Sequence, residues 1–116
     1  MQFAILAMAL VLSACGGAPG PDERATLIDE VRIATFRFRP QVIEVQTGTA
    51  VRWSNQDRIL HTATAGTPEA PSGAFDVRMD GAGTSGEVTF DEPGTYPYFC
   101  ARHPHMRGEV RVAPNA

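Results

Sequence analysis

The sequence predicts an all-β domain, an antiparallel β-sandwich of about seven to eight strands. Three observations predict it: short runs in which apolar and polar residues alternate, turn-forming clusters between those runs, and no helical stripe anywhere in residues 22–116. A chain of 116 residues is long enough for one such core and too short for two.

Taken in order, Thr26 to Ile33 alternates with period two and is the first expected strand. Phe36 to Phe38, Val42 to Val45 and Val51 to Trp53 follow, with Thr47-Gly48-Thr49 as a turn before the last and Asn55-Gln56-Asp57 after it. Residues 65–86 are rich in Gly and Pro and alternate only over Ala74 to Val77, so no regular element is expected across most of them. After Gly81-Ala82-Gly83, the run Glu87 to Phe90 places Val88 and Phe90 on one face. Beyond Glu92-Pro93-Gly94 come Tyr96 to Cys100 and then Glu109 to Val112, with Val110 and Val112 on one face.

Upstream of the domain, residues 1–14 read as an export signal of the lipoprotein kind. Met1 to Leu12 is uncharged and apolar over the length of a signal-peptide core, shorter than a bilayer span. Its one departure is a first segment without Lys or Arg. Leu12-Ser13-Ala14-Cys15 resembles a lipobox, which implies that Cys15 is lipidated and anchors the chain to a membrane. Residues 15–25, through Gly16-Gly17-Ala18-Pro19-Gly20-Pro21, then form a flexible tether, and residues 26–116 the domain. The expected location is therefore periplasmic or cell-surface.

Composition bounds little else. The formal net charge is −3, all ten basic residues are Arg, and no nucleic-acid partner is expected. Arg58, Arg102 and Arg107 lie beside residues of interest below and could make the rim of a site locally basic. If Cys15 carries lipid, Cys100 has no disulfide partner, and in an oxidising compartment metal ligation would protect its thiol.

The chemistry concentrates in Tyr96 to Met106, which packs the thiol of Cys100, the imidazoles of His103 and His105, and the thioether of Met106 into one loop. Thiolate, imidazole and a weak thioether make the donor set of an electron-transfer copper centre. One more imidazole is needed, and His61 is the candidate if the fold returns it to the loop.

Glu44 to Asp57 followed by His61, together with Phe90 to Cys100, resembles the cupredoxin family in its plastocyanin and amicyanin branch, over about residues 26–113. The resemblance implies a Greek-key sandwich and one type 1 copper held by His61, Cys100, His103 and Met106, in the short Cys-x-x-His-x-x-Met spacing of amicyanin. His105 is then expected at the exposed rim and Met79 in the core. Two departures stand out. Thr62 follows His61 where relatives carry Asn, so a tie between the ligand loops falls to its hydroxyl; Arg102 replaces a Pro and adds an N–H that could reach the sulfur. Gly108 fits a sharp return into the last strand.

The implied activity is single-electron transfer between redox proteins, by a monomer with no catalysis of its own. Phe99 and Ala101 flank Cys100 where copper oxidases and nitrite reductases place a His. A copper carrier or storage protein is the alternative, and zinc is disfavoured because it gains nothing from Met106.

Overall fold

The computed structural model describes residues 28–115; the export signal, the Cys15 anchor and the tether lie outside the described residues. Nine strands run in the order β1 Ile28–Ala34, β2 Arg37–Arg39, β3 Val42–Gln46, β4 Thr49–Asn55, β5 Leu60–Thr67, β6 Ala70–Asp80, β7 Ser85–Phe90, β8 Gly94–Phe99 and β9 Arg107–Ala113. They form two packed sheets, ordered β2-β1-β4-β7 and β3-β9-β8-β5-β6. Among the described residues no helix is long and apolar enough to cross a membrane.

The sandwich is as expected, with two corrections. It has nine strands, and its sheets are mixed: β1 pairs parallel with β4, and β3 with β9. Parallel neighbours arise because the chain leaves the first sheet after β2, lays down β3 in the second, and returns through the Thr47-Gly48 turn as β4. The expected strands all appear within a few residues of their bounds; the additions are β5, which begins before the Gly/Pro-rich stretch of residues 65–86 and ends inside it, and most of β6, which lies within that stretch. None of β5's eight positions carries a formal charge, and His61, Thr62, Ala63, Ala65 and Gly66 are all buried, so its two faces do not alternate in polarity. Ala70 to Ala74 of β6 are all exposed at the sheet edge and carry no pattern either.

The core follows from the alternation of the remaining strands. Val31 and Ile33 of β1, Val51 and Trp53 of β4, and Val110 of β9 are fully buried. Trp53 bridges the sheets: its ring lies 5.3 Å from Tyr98, edge to face, and stacks on Phe75 at 5.6 Å. Phe38 closes on the other side of Tyr98 at 4.7 Å.

Gly108 is explained by this packing. It lies within β9, where β9 already runs extended from Arg107, and a Cβ added to it would overlap the Tyr98 ring. It leaves room for an aromatic, where the sequence suggested a bend.

Three connections meet at one end of the sandwich. Ile33 aligns with Asn55 across the parallel β1–β4 pair, and the Gln56 N–H bonds to the Ile33 carbonyl at 2.8 Å, so the β1–β2 turn and the β4–β5 loop leave together. Thr64 pairs with Phe99, which brings the β8–β9 loop onto the start of β5. The long-range encounter that His61 required is thus a consequence of strand order.

Candidate metal centre

Cys100 follows β8 immediately and is fully buried. Its N–H bonds to the Met106 carbonyl at 3.1 Å, and the Met106 N–H to the His103 carbonyl at 2.9 Å, which closes residues 100–106 into a tight loop. Met106, 2% exposed, turns inward into the core cluster, while His103 stays half-buried and His105 is exposed. His61, fully buried, enters from β5.

The donor atoms of His61, Cys100 and His103 all lie within 4.8 Å of one another. Cys100 Sγ is 3.7 Å from His61 Nδ1 and 3.8 Å from His103 Nδ1. Bonds of about 2.3 Å to sulfur and about 2.0 Å to nitrogen, set roughly 120° apart, separate such donors by ~3.7 Å, so one ion fits all three. A thiolate with two imidazoles in a plane, and a thioether in the loop beside them, is a copper donor set. His105 stands outside this group, as expected.

The surroundings hold the donors in the forms a metal needs. Asp57 Oδ2 sits 2.9 Å from His61 Nε2. An ionised carboxylate only accepts, so the proton lies on Nε2 and the Nδ1 lone pair is free for metal. Burial pushes the Asp57 carboxyl up, but the Phe36 N–H, His61 and the Thr35 N–H outweigh it and hold it below its ordinary value. Partial desolvation, followed by the neighbouring His61, His105 and Arg102, lowers the His103 imidazole below its ordinary range, which favours its neutral, ligating form.

Asp57 does a second job. The turn between β1 and β2 is a two-residue hairpin whose members, Thr35 and Phe36, have φ of 50° and 58°. Neither residue takes that conformation readily. The Asp57 carboxylate accepts both their N–H groups, at 2.9 and 3.0 Å, and so holds the turn in place. The Phe36 ring then lies edge-on to both ligand imidazoles, 5.4 Å from His61 and 5.1 Å from His103.

Asn55, 1% exposed, organises the loop that carries Asp57. Its side chain donates to the Ile59 and Met79 carbonyls at 2.8 and 3.2 Å and accepts the Asp57 N–H at 2.9 Å. Asp57, Phe36 and Asn55 were not singled out in the sequence. The signal available was Asn55-Gln56-Asp57, an Asx-turn pattern placed four residues before His61.

Thr62 sits where the sequence put it. Its hydroxyl accepts the Ala101 N–H at 2.7 Å and bonds to Thr64 Oγ1 at 2.9 Å, which donates to Asp76 at 2.8 Å. This chain of hydroxyls ties the two ligand loops. The backbone N–H of Thr62 points at Cys100 Sγ, 3.4 Å away. Arg102 does not fill the role expected of it: among the described residues its N–H makes no hydrogen bond to Sγ, and the amide reaching the sulfur is Thr62's.

A buried thiol flanked by two imidazoles at one end of a two-sheet sandwich defines a mononuclear copper protein. The chain belongs to the plastocyanin/azurin family of copper-binding proteins, whose sequence profile matches residues 25–113. Copper is therefore its cofactor. It is similar to amicyanin-alpha of Methylorubrum extorquens, 29% identical over 99 residues that span 85% of this chain and 83% of that one. Plastocyanin of Daucus carota is 34% identical over 84 residues, 65% of this chain and 86% of its own. Among solved structures, a purple cupredoxin from Nitrosopumilus maritimus superposes with a TM-score of 0.67 at 26% identity, covering 72% of this chain and 98% of that one. A Cu(I) amicyanin variant superposes at 0.65 with 29% identity, covering 78% and 89%.

Proposed function

We propose that this chain is a type 1 copper protein that carries single electrons between redox proteins, in which His61, Cys100, His103 and Met106 would hold the copper. The observation that carries the reading is the spacing of Sγ from the two Nδ1 atoms, 3.7 and 3.8 Å, within a fixed network. Copper supplies the Cu(I)/Cu(II) couple. The protein's part is to keep the donors where both oxidation states accept them, so that little rearranges on transfer. Asp57 fixes the His61 tautomer, the Thr62 N–H stabilises the thiolate, and the half-buried His103 edge gives an electron a short way out.

Copper-loaded protein should be intensely coloured when oxidised, lose the colour on reduction with the metal retained, and regain it on reoxidation. Cys100→Ser should abolish the band. Release of copper on reduction would instead indicate the carrier or storage protein.

The same proposal places the chain outside the cytoplasm as a monomer, lipid-anchored through Cys15 at a periplasmic or cell-surface membrane face. Leu12-Ser13-Ala14-Cys15 and the Gly/Pro tether support this. Cys15→Ser should move the protein from the membrane to the soluble fraction; unchanged partitioning would refute the anchor.

A further inference from the structure

The charges of the domain are sorted by end. Arg37 begins β2 directly after Phe36, Arg58 lies in the β4–β5 loop, Arg102 in the ligand loop, and Arg107 begins β9; all are exposed at the metal end. Arg39 reaches the same end, donating to Thr35 Oγ1 at 3.2 Å. Among the described residues none of these five arginines forms an ion pair, whereas Arg52 and Arg111, set further along β4 and β9 from this end, are paired with Glu87, Glu109 and Glu44. The carboxylates at the metal end are Asp80, which closes β6, Asp76, which is level with Arg107 across Thr64 and Phe99 and accepts from the Thr64 hydroxyl, and Asp57, whose oxygens are taken by His61, Thr35 and Phe36. At the opposite end, among the described residues, the connecting segments carry Glu69, Asp91 and Glu92 and no arginine.

Within the arginine ring lies an apolar patch. Phe36, 42% exposed, lies edge-on to His103 at 5.1 Å, exposed Pro104 follows His103 in the ligand loop, and Ile59, 39% exposed, lies in the β4–β5 loop at the same end. An apolar centre with a charged rim suits a transient interface, and guanidinium groups recognise carboxylates in a fixed geometry. The five arginines outnumber the carboxylates at this end, which biases the local field toward positive although the chain as a whole carries −3.

Resting on the electron-carrier reading, we infer that the metal end docks an acidic redox protein, one that presents carboxylates around the edge of its own cofactor. In each encounter the donor loses one electron and the copper site gains it, with no bond formed or broken.

Reduction of the oxidised, copper-loaded full chain is followed by stopped flow, as loss of visible colour, with two donors: reduced flavodoxin as an acidic protein probe and ferrocytochrome c as a basic one. The expected flavodoxin rate falls by about tenfold or more between low and high salt, as the Debye length shrinks from about 30 Å at 0.01 M to about 3 Å at 1 M. Arg37→Gln/Arg58→Gln lowers the low-salt rate at least about threefold and flattens its salt dependence. Arg52→Gln/Arg111→Gln makes the same change in net charge away from this end and moves the rate much less. An unchanged visible band in both variants shows that the site is intact.

A flavodoxin rate that rises with salt, as the net negative charge alone dictates, or equal effects of the two double variants, overturns the inference while leaving the electron carrier standing. Failure to exchange electrons with either donor overturns both. A rate that drops as the chain's own concentration rises shows the ring occupied by the acidic end of a second copy. Binding to phosphatidylglycerol vesicles that Arg37→Gln/Arg58→Gln abolishes shows it occupied by lipid. Either of these results also overturns the acidic-protein assignment.

Discussion

The Asp57 carboxylate joins the buried His61 ring at Nε2 across 2.9 Å while its two oxygens also hold the backbone of Thr35 and Phe36. One side chain thereby sets the tautomer of a ligand and the position of the aromatic ring that covers it. Asp57→Ala should lower Cu(II) affinity about tenfold to a hundredfold, the usual loss for a carboxylate behind a ligating imidazole. Competition with a chelator of known affinity measures it; an unchanged affinity would show that the carboxylate serves the turn alone.

The Thr62 hydroxyl and Thr62 N–H have separable effects. Thr62→Val removes the acceptor of the Ala101 N–H and should cost about 1–3 kcal/mol of stability, whereas Thr62→Ser should keep most of it. Both variants retain the N–H aimed at Cys100, so the visible band should stay nearly in place. A large spectral shift in the Val variant alone would tie the hydroxyl to the sulfur's electronic environment.

Tyr98 supplies a dependence on alkaline pH. Burial pushes its phenol up to about 12, offset only in part by the neighbouring Trp53 side chain. A group whose acidity is weakened by folding adds stability that is complete below its unfolded pKa, near 10, and is lost as pH rises toward the folded value. The loss should approach about 3 kcal/mol, at roughly 1.4 kcal/mol per unit, and appear as a falling urea midpoint above about pH 10. Neither Tyr98 Oη nor Trp53 Nε1 has a hydrogen-bond partner among the described residues, so Tyr98→Phe should be neutral or mildly stabilising at pH 7. That variant should also show a flatter alkaline profile; a profile as steep as the parent's would remove Tyr98 as the cause.

Gly108→Ala drives a methyl group into the Tyr98 ring and should destabilise by about 1–3 kcal/mol. A thermal midpoint unchanged from the parent would mean that the ring shifts freely, against its packing between Phe38 and Trp53.

Asn55→Ala leaves the Asp57 N–H and the Ile59 and Met79 carbonyls without a buried partner and should cost about 2–3 kcal/mol. Hydrogen exchange over residues 56–61 should accelerate with it; protection equal to the parent's would place the loop's order elsewhere.

The strands that could be seen in the sequence are those with one wet and one dry face. In β1, β4 and β9 the pleat turns every second residue toward the core, and a period of two in hydropathy reports it directly. β5 escaped because His61 and Thr62 are adjacent, both buried, and face opposite sides of a central strand. The parallel pairings escaped as well, since hydropathy says which face is buried and nothing about which neighbour a strand meets.

The sequence by itself determined three of the four donors, because Cys100, His103 and Met106 are local and their chemistry depends on residue type and spacing within one loop; His61 joins them only through the strand order. It also pointed to Thr62, which is adjacent to a ligand. Tertiary structure alone decided the rest. Asp57 acts across 21 and 22 positions on Phe36 and Thr35, Phe36 reaches His103 from another sheet, and Thr62 rather than Arg102 supplies the amide at the sulfur. Hydrogen bonds and ring contacts between distant segments depend on register and on how two sheets close over each other. Those follow from the packing of the whole core and are written in no single stretch of the chain.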